Sequence, residues 1–259
     1  MKTTFTTQKT TSWHIPTPAN PEPVNPSNGN LFKPKRAGKN EAPTHVVFIL
    51  DSSSSMMSMH SETVSGYNEF LDTQRKEAED SGIDTMISLY VFDGTKTTNI
   101  IDHKNVKEVE PLSPSEYRPS GMTNLYDAIG NVMFNINHEF KKVSKADRES
   151  VIVTILTDGQ ENASNEFSSA DVKTMVEKAE SKGWGFMFLG ANIDAFAVGS
   201  TFGMRKENTI QYTTNNMSET IAYASASTNM MKSGMRSGKS LDAVYASAIN
   251  DEDRAKLNQ

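Results

Sequence analysis

The sequence predicts an α/β domain built on a mostly parallel sheet with helices on both faces. Three observations lead there. Val46-Val47-Phe48-Ile49-Leu50 is an unbroken apolar run that stops at Asp51, the signature of a short strand buried on both faces inside a parallel sheet. Val151 to Leu156 is a second such run, closed by Thr157-Asp158-Gly159. Around them, segments of helical spacing alternate with further strands, the pattern of successive βαβ units.

Taken in order, Glu62 to Asp80 follows the first strand as a helix, with Val64, Tyr67, Phe70, Leu71 and Ala78 on one face and Gly82 placed to end it. Thr85 to Phe92 alternates Ile87, Leu89 and Val91 with Met86, Ser88, Tyr90 and Phe92, a strand. Asp93-Gly94 is a hairpin signal, making Lys96 to His103 an antiparallel partner at the sheet edge. Asn105 to Ser120, with Pro111, Pro114 and Pro119, reads as a loop. Leu125, Ile129, Val132, Met133, Ile136 and Phe140 mark the next helix. After the second buried strand, Ser168 to Asp171 opens a helix striped by Val172, Met175, Val176 and Ala179. Trp184 to Leu189 is a strand, Asp194 to Phe202 a short helix, and Thr209 to Thr213 the last strand.

The chemistry is concentrated where the buried strands end. Asp51 is followed by Ser53 and Ser55 at alternate positions. In a tight loop a carboxylate and two hydroxyls can converge, a donor set that suits a hard cation such as Mg²⁺. Thr123 lies just ahead of the Leu125 helix, and Asp158 closes the second buried strand. Taken alone, Asp51 and Ser53 could merely cap the following turn. Together, Asp51-x-Ser53-x-Ser55, Thr123 and Thr157-Asp158-Gly159 resemble the metal-ion-dependent adhesion site of von Willebrand factor A domains, over roughly residues 44–213. Phe188 to Ala195 and Thr157 to Ser164 are similar to segments of small stand-alone bacterial and phage members of that family.

The resemblance implies a doubly wound, Rossmann-like six-stranded sheet of order 3-2-1-4-5-6, with strand 3 antiparallel at the edge. Strands 1 and 4 are then neighbours where the winding reverses, the place where open α/β sheets bind ligands. It further implies that Ser53, Ser55 and Thr123 contact the cation directly, that Asp51 and Asp158 act largely through bound waters, and that Mg²⁺ (or Mn²⁺) is the ion. An Asp or Glu of a partner protein would complete the shell. Tyr117 and Arg118 before Thr123, and Asn192 and Asp194 after the fifth strand, are the expected partner-binding rim. For Asn192 and Asp194, a turn and a helix cap are an equal alternative.

Composition bounds the rest. The chain has 259 residues, enough for a sizeable core. It has no cysteine, hence no disulfide framework and no thiolate metal site. No run approaches the roughly 18 apolar residues of a membrane span, and Met1 to Thr6 lacks a signal-peptide core, so a cytoplasmic protein is expected. Residues 1–43 hold seven of the ten prolines and a charge balance of +4, against −10 for the remainder. They read as a disordered basic tail, followed by the domain over 44–213 and C-terminal helices over 214–259. The acidic body argues against nucleic-acid binding by the domain. Gly234 to Ser240 resembles a phosphate loop but is one residue short between its glycines and follows no strand. Asn162-Ala163-Ser164 matches a glycosylation sequon by chance. His45 is expected at the far end of the sheet from the site, and His60 at the surface in the first helix turn, with lining of the site as its alternative.

The function expected is a divalent-metal-dependent protein-binding module acting as adaptor or scaffold; the bacterial resemblance adds an ATPase as a possible partner. The alternative is a Mg²⁺-dependent hydrolase or phosphotransferase built on Asp51. Hydrolases of this topology usually carry Asp-x-Asp and a partnering lysine. Here the third position is Ser53, and no general base sits in the site segments. A phage virion or assembly component, tethered by the tail, is a third reading.

Overall fold

The computed structural model describes residues 42–248 and residue 252. The tail expected over 1–43, but for its last two residues, lies outside the described residues, as does most of the segment after residue 248.

The elements are β1 (Thr44–Asp51), α1 (His60–Ser81), β2 (Thr85–Phe92), β3 (Thr97–Asn105), α2 (Leu125–Phe140), β4 (Ser150–Thr157), α3 (Ser169–Glu180), β5 (Gly185–Ala191), α4 (Ala195–Thr201), β6 (Thr209–Tyr212), α5 (Met217–Arg236) and α6 (Leu241–Ala248). The sheet runs β3-β2-β1-β4-β5-β6. All pairings are parallel except β2 with β3, as expected. β1 starts two residues before its apolar run, where its ladders to both neighbours begin at Thr44, and takes in Asp51 because its ladder to β2 continues that far.

The sheet's two faces bury two separate cores. Along β1, Val46, Phe48 and Leu50 face α1, α5 and α6. Val47 and Ile49 face α2 and α3, with Ala195 of α4 in the same cluster. This is the period-2 alternation of a strand covered on both sides. Each fully buried Val, Leu, Ile or Phe contributes about 1.5–3 kcal/mol, and β1 has no exposed residue.

Local signals account for the helix ends. Gly82 stops α1 with φ 67°, a left-handed conformation that costs glycine little. Ser168 and Asp171 form a reciprocal capping box at the start of α3. The stretch resembling a phosphate loop is the C-terminal cap of α5: Gly238 has φ 68°, and the Lys239 N–H donates to the Gly234 carbonyl at 3.1 Å.

α5 packs along α1. A Cβ at Gly66 would sit 2.4 Å from Ile221 Cδ1, so the bare glycine sets how closely the two helices approach. At this contact Lys232, with no exposed surface, donates to Glu77 and, at 3.2 Å, to Gln74 Oε1. Arg236 reaches the other Glu77 oxygen at 2.8 Å. The buried ammonium is thus held by a carboxylate and an amide oxygen, the partners that buried charge requires.

Candidate metal site at the carboxyl end of the sheet

The β1–β4 register pairs Leu50 with Leu156, bringing Asp51 level with Thr157 and beside Asp158. The chain then turns sharply. The Ser53 N–H donates to Asp51 Oδ1 at 2.7 Å, closing an Asx turn that points the serine hydroxyls back over the strand end. Ser53 Oγ and Ser55 Oγ are 3.0 Å apart, and Ser55 Oγ donates to Asp158 Oδ1 at 2.6 Å. Thr123 arrives from the loop before α2. A Cβ at Gly159 would lie 2.8 Å from Thr123 Oγ1 and 3.5 Å from Asp51 Oδ2, so hydroxyl and carboxylate crowd one glycine. The structure therefore brings Asp51, Ser53, Ser55, Thr123 and Asp158 together.

Among the described residues, no positive group is among the influences acting on the two acids. Asp51 has no exposed surface, and burial pushes its carboxyl up to about 6, against hydrogen bonds from Thr157 Oγ1 and Ser53 and helped by the nearby Asp158 charge. Burial also raises Asp158, against the hydrogen bond from Ser55. Two acids and three hydroxyls, all oxygen donors with no nitrogen or sulfur among them, fit a hard divalent cation. Such an ion would relieve the cost of the buried acids.

The site loops are tied together. The Ser52 N–H and hydroxyl both donate to the Phe92 carbonyl, at 2.7 and 2.9 Å. The Ser120 N–H donates to the Ser52 carbonyl at 2.7 Å, and the Ser54 N–H to the Gly121 carbonyl at 3.1 Å. These bonds tie the Asp51 loop to the Thr123 loop and to the end of β2.

Residues 161–167 carry a support that the sequence reading assigned no role. Asn162 Oδ1 accepts the Thr123 N–H at 2.9 Å, and the N–H groups of Asn162 and Ala163 donate to the Thr123 carbonyl at 3.0 and 3.1 Å. Glu161 accepts from the N–H groups of Tyr126, Ala163 and Ser164. Asp127 accepts from those of Asn165, Glu166 and Phe167. The signal available in the sequence was the density of Glu, Asn and Ser just after Asp158.

The rim needs correction at one position. Tyr117 is fully buried and cannot meet a partner: its hydroxyl donates to the Asp51 carbonyl at 2.6 Å, and burial holds the phenol in its protonated form. The Pro-rich loop carries it inward because His60 stacks on its ring and reaches the Tyr117 carbonyl at 2.8 Å. Arg118, Asn192 and Asp194 are exposed. Asn192 has φ 54° and holds Thr214 Oγ1 at 2.6 Å; Asp194 caps α4 by accepting the Ala197 N–H at 2.9 Å. Met57 and Met122 are 59% and 57% exposed, within the segments that carry the serines and Thr123.

No family model and no curated protein matches the sequence. Solved structures do match by fold. Proximal thread matrix protein 1 from the mussel byssus, in a form with a zinc-occupied MIDAS motif, aligns with TM-score 0.52 at 13% identity over 72% of this chain and 48% of that one. The pilus adhesin SpaC from Lactobacillus rhamnosus GG aligns with TM-score 0.55 at 10% identity, over 74% of this chain and 30% of SpaC. The SpRpn10 VWA domain aligns with TM-score 0.51 at 8% identity, over 71% of this chain and 95% of the domain. This chain thus spans about half the length of the mussel protein. The shared fold is that of the von Willebrand factor A domain.

Proposed function

We propose that this chain, with its von Willebrand factor A fold, is a protein-binding module whose binding surface is organised by a divalent cation, Mg²⁺ or Mn²⁺. Asp51, Ser53, Ser55, Thr123 and Asp158 would hold the ion. The observation that carries this reading is the 2.6 Å hydrogen bond between Ser55 and Asp158, which joins the ends of two neighbouring buried strands into one oxygen-donor cluster. The zinc-occupied motif of the mussel protein supports it by likeness of fold.

When bound, the cation supplies positive charge that attracts an acidic side chain, so an Asp or Glu from a partner protein is the proposed ligand. The chain's own residues do the rest. Thr157 and Ser53 hold the Asp51 carboxylate in place. Asn162 fixes Thr123. The exposed methionines Met57 and Met122 offer adaptable apolar contact beside the ligands, and Arg118 a positive charge.

The role proposed is adaptor or scaffold in the cytoplasm, with the domain over 44–213 and the following helices as one functional unit; an ATPase is one candidate partner. Among the described residues no helix is long and apolar enough to cross a membrane. The test is calorimetric titration with Mg²⁺ and Mn²⁺, followed by capture of acidic-peptide ligands with the ion and with EDTA. One ion per chain, lost in Asp158→Ala, and capture that EDTA abolishes are expected. Ligand capture that persists in EDTA would refute the reading.

A further inference from the structure

A second cluster lies at the opposite, amino end of the sheet. His45 near the start of β1, His103 on β3 and Glu149 just before β4 each place one ligand-type atom within 4.8 Å of the others. His45 and Glu149 are 1% and 6% exposed. His103 Nε2 lies 2.8 Å from Glu149 Oε2, and the two imidazole rings meet edge to face at 4.7 Å between centroids. The other Glu149 oxygen, Oε1, is buried with no hydrogen-bond partner among the described residues. A buried carboxylate oxygen left so is costly unless something positive completes it.

The backbone is bent to make this meeting. Between the pairs Ile87–Lys104 and Leu89–Ile101, β2 contributes Ser88 alone while β3 contributes Asp102 and His103. This is a β-bulge, and His103 sits in it at φ 42°, in the left-handed region. Ser88 anchors both histidines: its Oγ accepts the His103 N–H at 2.9 Å and lies 2.8 Å from His45 Nε2. The hydroxyl thus orients the His45 imidazole and holds the His103 main chain, and an outer partner on a ring nitrogen is the support expected around a metal-ligating histidine.

We propose that His45, His103 and Glu149 form a second metal site, selective for a borderline transition-metal ion such as Zn²⁺ over Mg²⁺. Two imidazoles and one carboxylate are a donor set for Zn²⁺, with the fourth position left for water. Four-coordinate Zn²⁺ with bonds of about 2.0 Å sets its ligand atoms about 3.3 Å apart. The His103–Glu149 pair opens by about half an ångström to reach this, and the others close in from under 4.8 Å. Glu149 also lines a cleft of about 500 Å³ with Asn137, Phe140 and Trp184. Bound there, the ion ties the edge strand β3 to β1 and β4 across β2. The site is independent of the adhesion-type cluster and uses none of its residues.

The test uses the full chain in excess Mg²⁺, which occupies the oxygen-donor cluster, titrated with Co²⁺ and followed by visible absorption. One equivalent giving the intense bands of four-coordinate Co²⁺, displaced by Zn²⁺, is expected. The bands should vanish in Glu149→Gln and in His103→Asn, an exchange that keeps a residue tolerant of positive φ, and should persist in Asp158→Ala. Circular dichroism checks each variant's fold. Only weak six-coordinate bands in the unmutated protein would overturn the proposal, whatever the variants do. Intense bands that survive His103→Asn or disappear with Asp158→Ala would overturn it too.

Discussion

Thr123 is gripped on both sides of its peptide unit by Asn162: its N–H donates to the Asn162 side chain at 2.9 Å, and its carbonyl accepts the Asn162 main-chain N–H at 3.0 Å. The residues lie on different loops, and the contact sets where the Thr123 hydroxyl stands relative to Asp51. Asn162→Ala keeps the main-chain half of the grip and loses the other. Supports of this kind typically control metal affinity by about 10–100-fold. A drop of about tenfold in Mg²⁺ or Mn²⁺ affinity by calorimetry is expected, with a melting temperature close to that of the unmutated chain. Unaltered affinity would show that Thr123 needs no such support.

Gly159→Ala tests the crowding directly. The added Cβ meets Thr123 Oγ1 at 2.8 Å, too close for a real contact, so the threonine side chain must turn away. Partner capture should fall more than stability, because the nearest atoms belong to Thr123 and Asp51 of the cluster and none to a hydrophobic core side chain. Equal capture by Gly159→Ala and the unmutated chain would mean that Thr123 is dispensable for the ligand.

Thr123→Ala separates ion from partner. Four oxygen-bearing residues of the cluster remain, so the ion should still bind, weakened at least as much as in Asn162→Ala, while capture of an acidic ligand should be lost. Met122→Ser should weaken capture without changing ion affinity, since Met122 lies at the surface and donates nothing to the cluster. Metal affinity that collapses in Met122→Ser would place this methionine in the wrong role.

Much of this architecture is legible in the chain itself. Continuous apolar runs that stop at an acid mark β1 and β4 because strands buried on both faces have no polar face to alternate. The Ser168–Asp171 box marks the start of α3 because both partners lie within one turn. Tyr117 misled because a loop of prolines carries no periodicity to say which side chains turn inward. The His45–His103–Glu149 meeting is invisible for a different reason. Its members come from three segments with no shared motif, joined only through the sheet register and a bulge. In α5, buried Ser225, Ser227, Thr228 and Lys232 dilute the apolar stripe, so its depth in the fold shows only in the packing.

Lys232 gives the molecule a pH signature. Burial pushes its ammonium down to about 8, against the pull of Glu77, whereas an unfolded lysine titrates near about 10.4. Between these values the unfolded chain holds more protons than the folded one, so this residue makes stability rise with pH from about 8 to about 10. Below about 8 both states are protonated and the contribution is constant. The effect is on the order of 1–3 kcal/mol. Melting temperatures across that window should rise more steeply for the unmutated chain than for Lys232→Met. Parallel curves would place the Lys232 titration outside the window.

β1 is flanked by parallel neighbours, β2 from Thr44 to Asp51 and β4 from Thr44 to Leu50, and its two ends belong to the two clusters: His45 and Asp51 stand about 20 Å apart on one strand. Tension between the segment before Thr44 and a ligand held at Asp51 would therefore run lengthwise through β1. Both points of load lie on the same strand, so the covalent backbone of β1 would carry the force and its ladders to β2 and β4 would be spared.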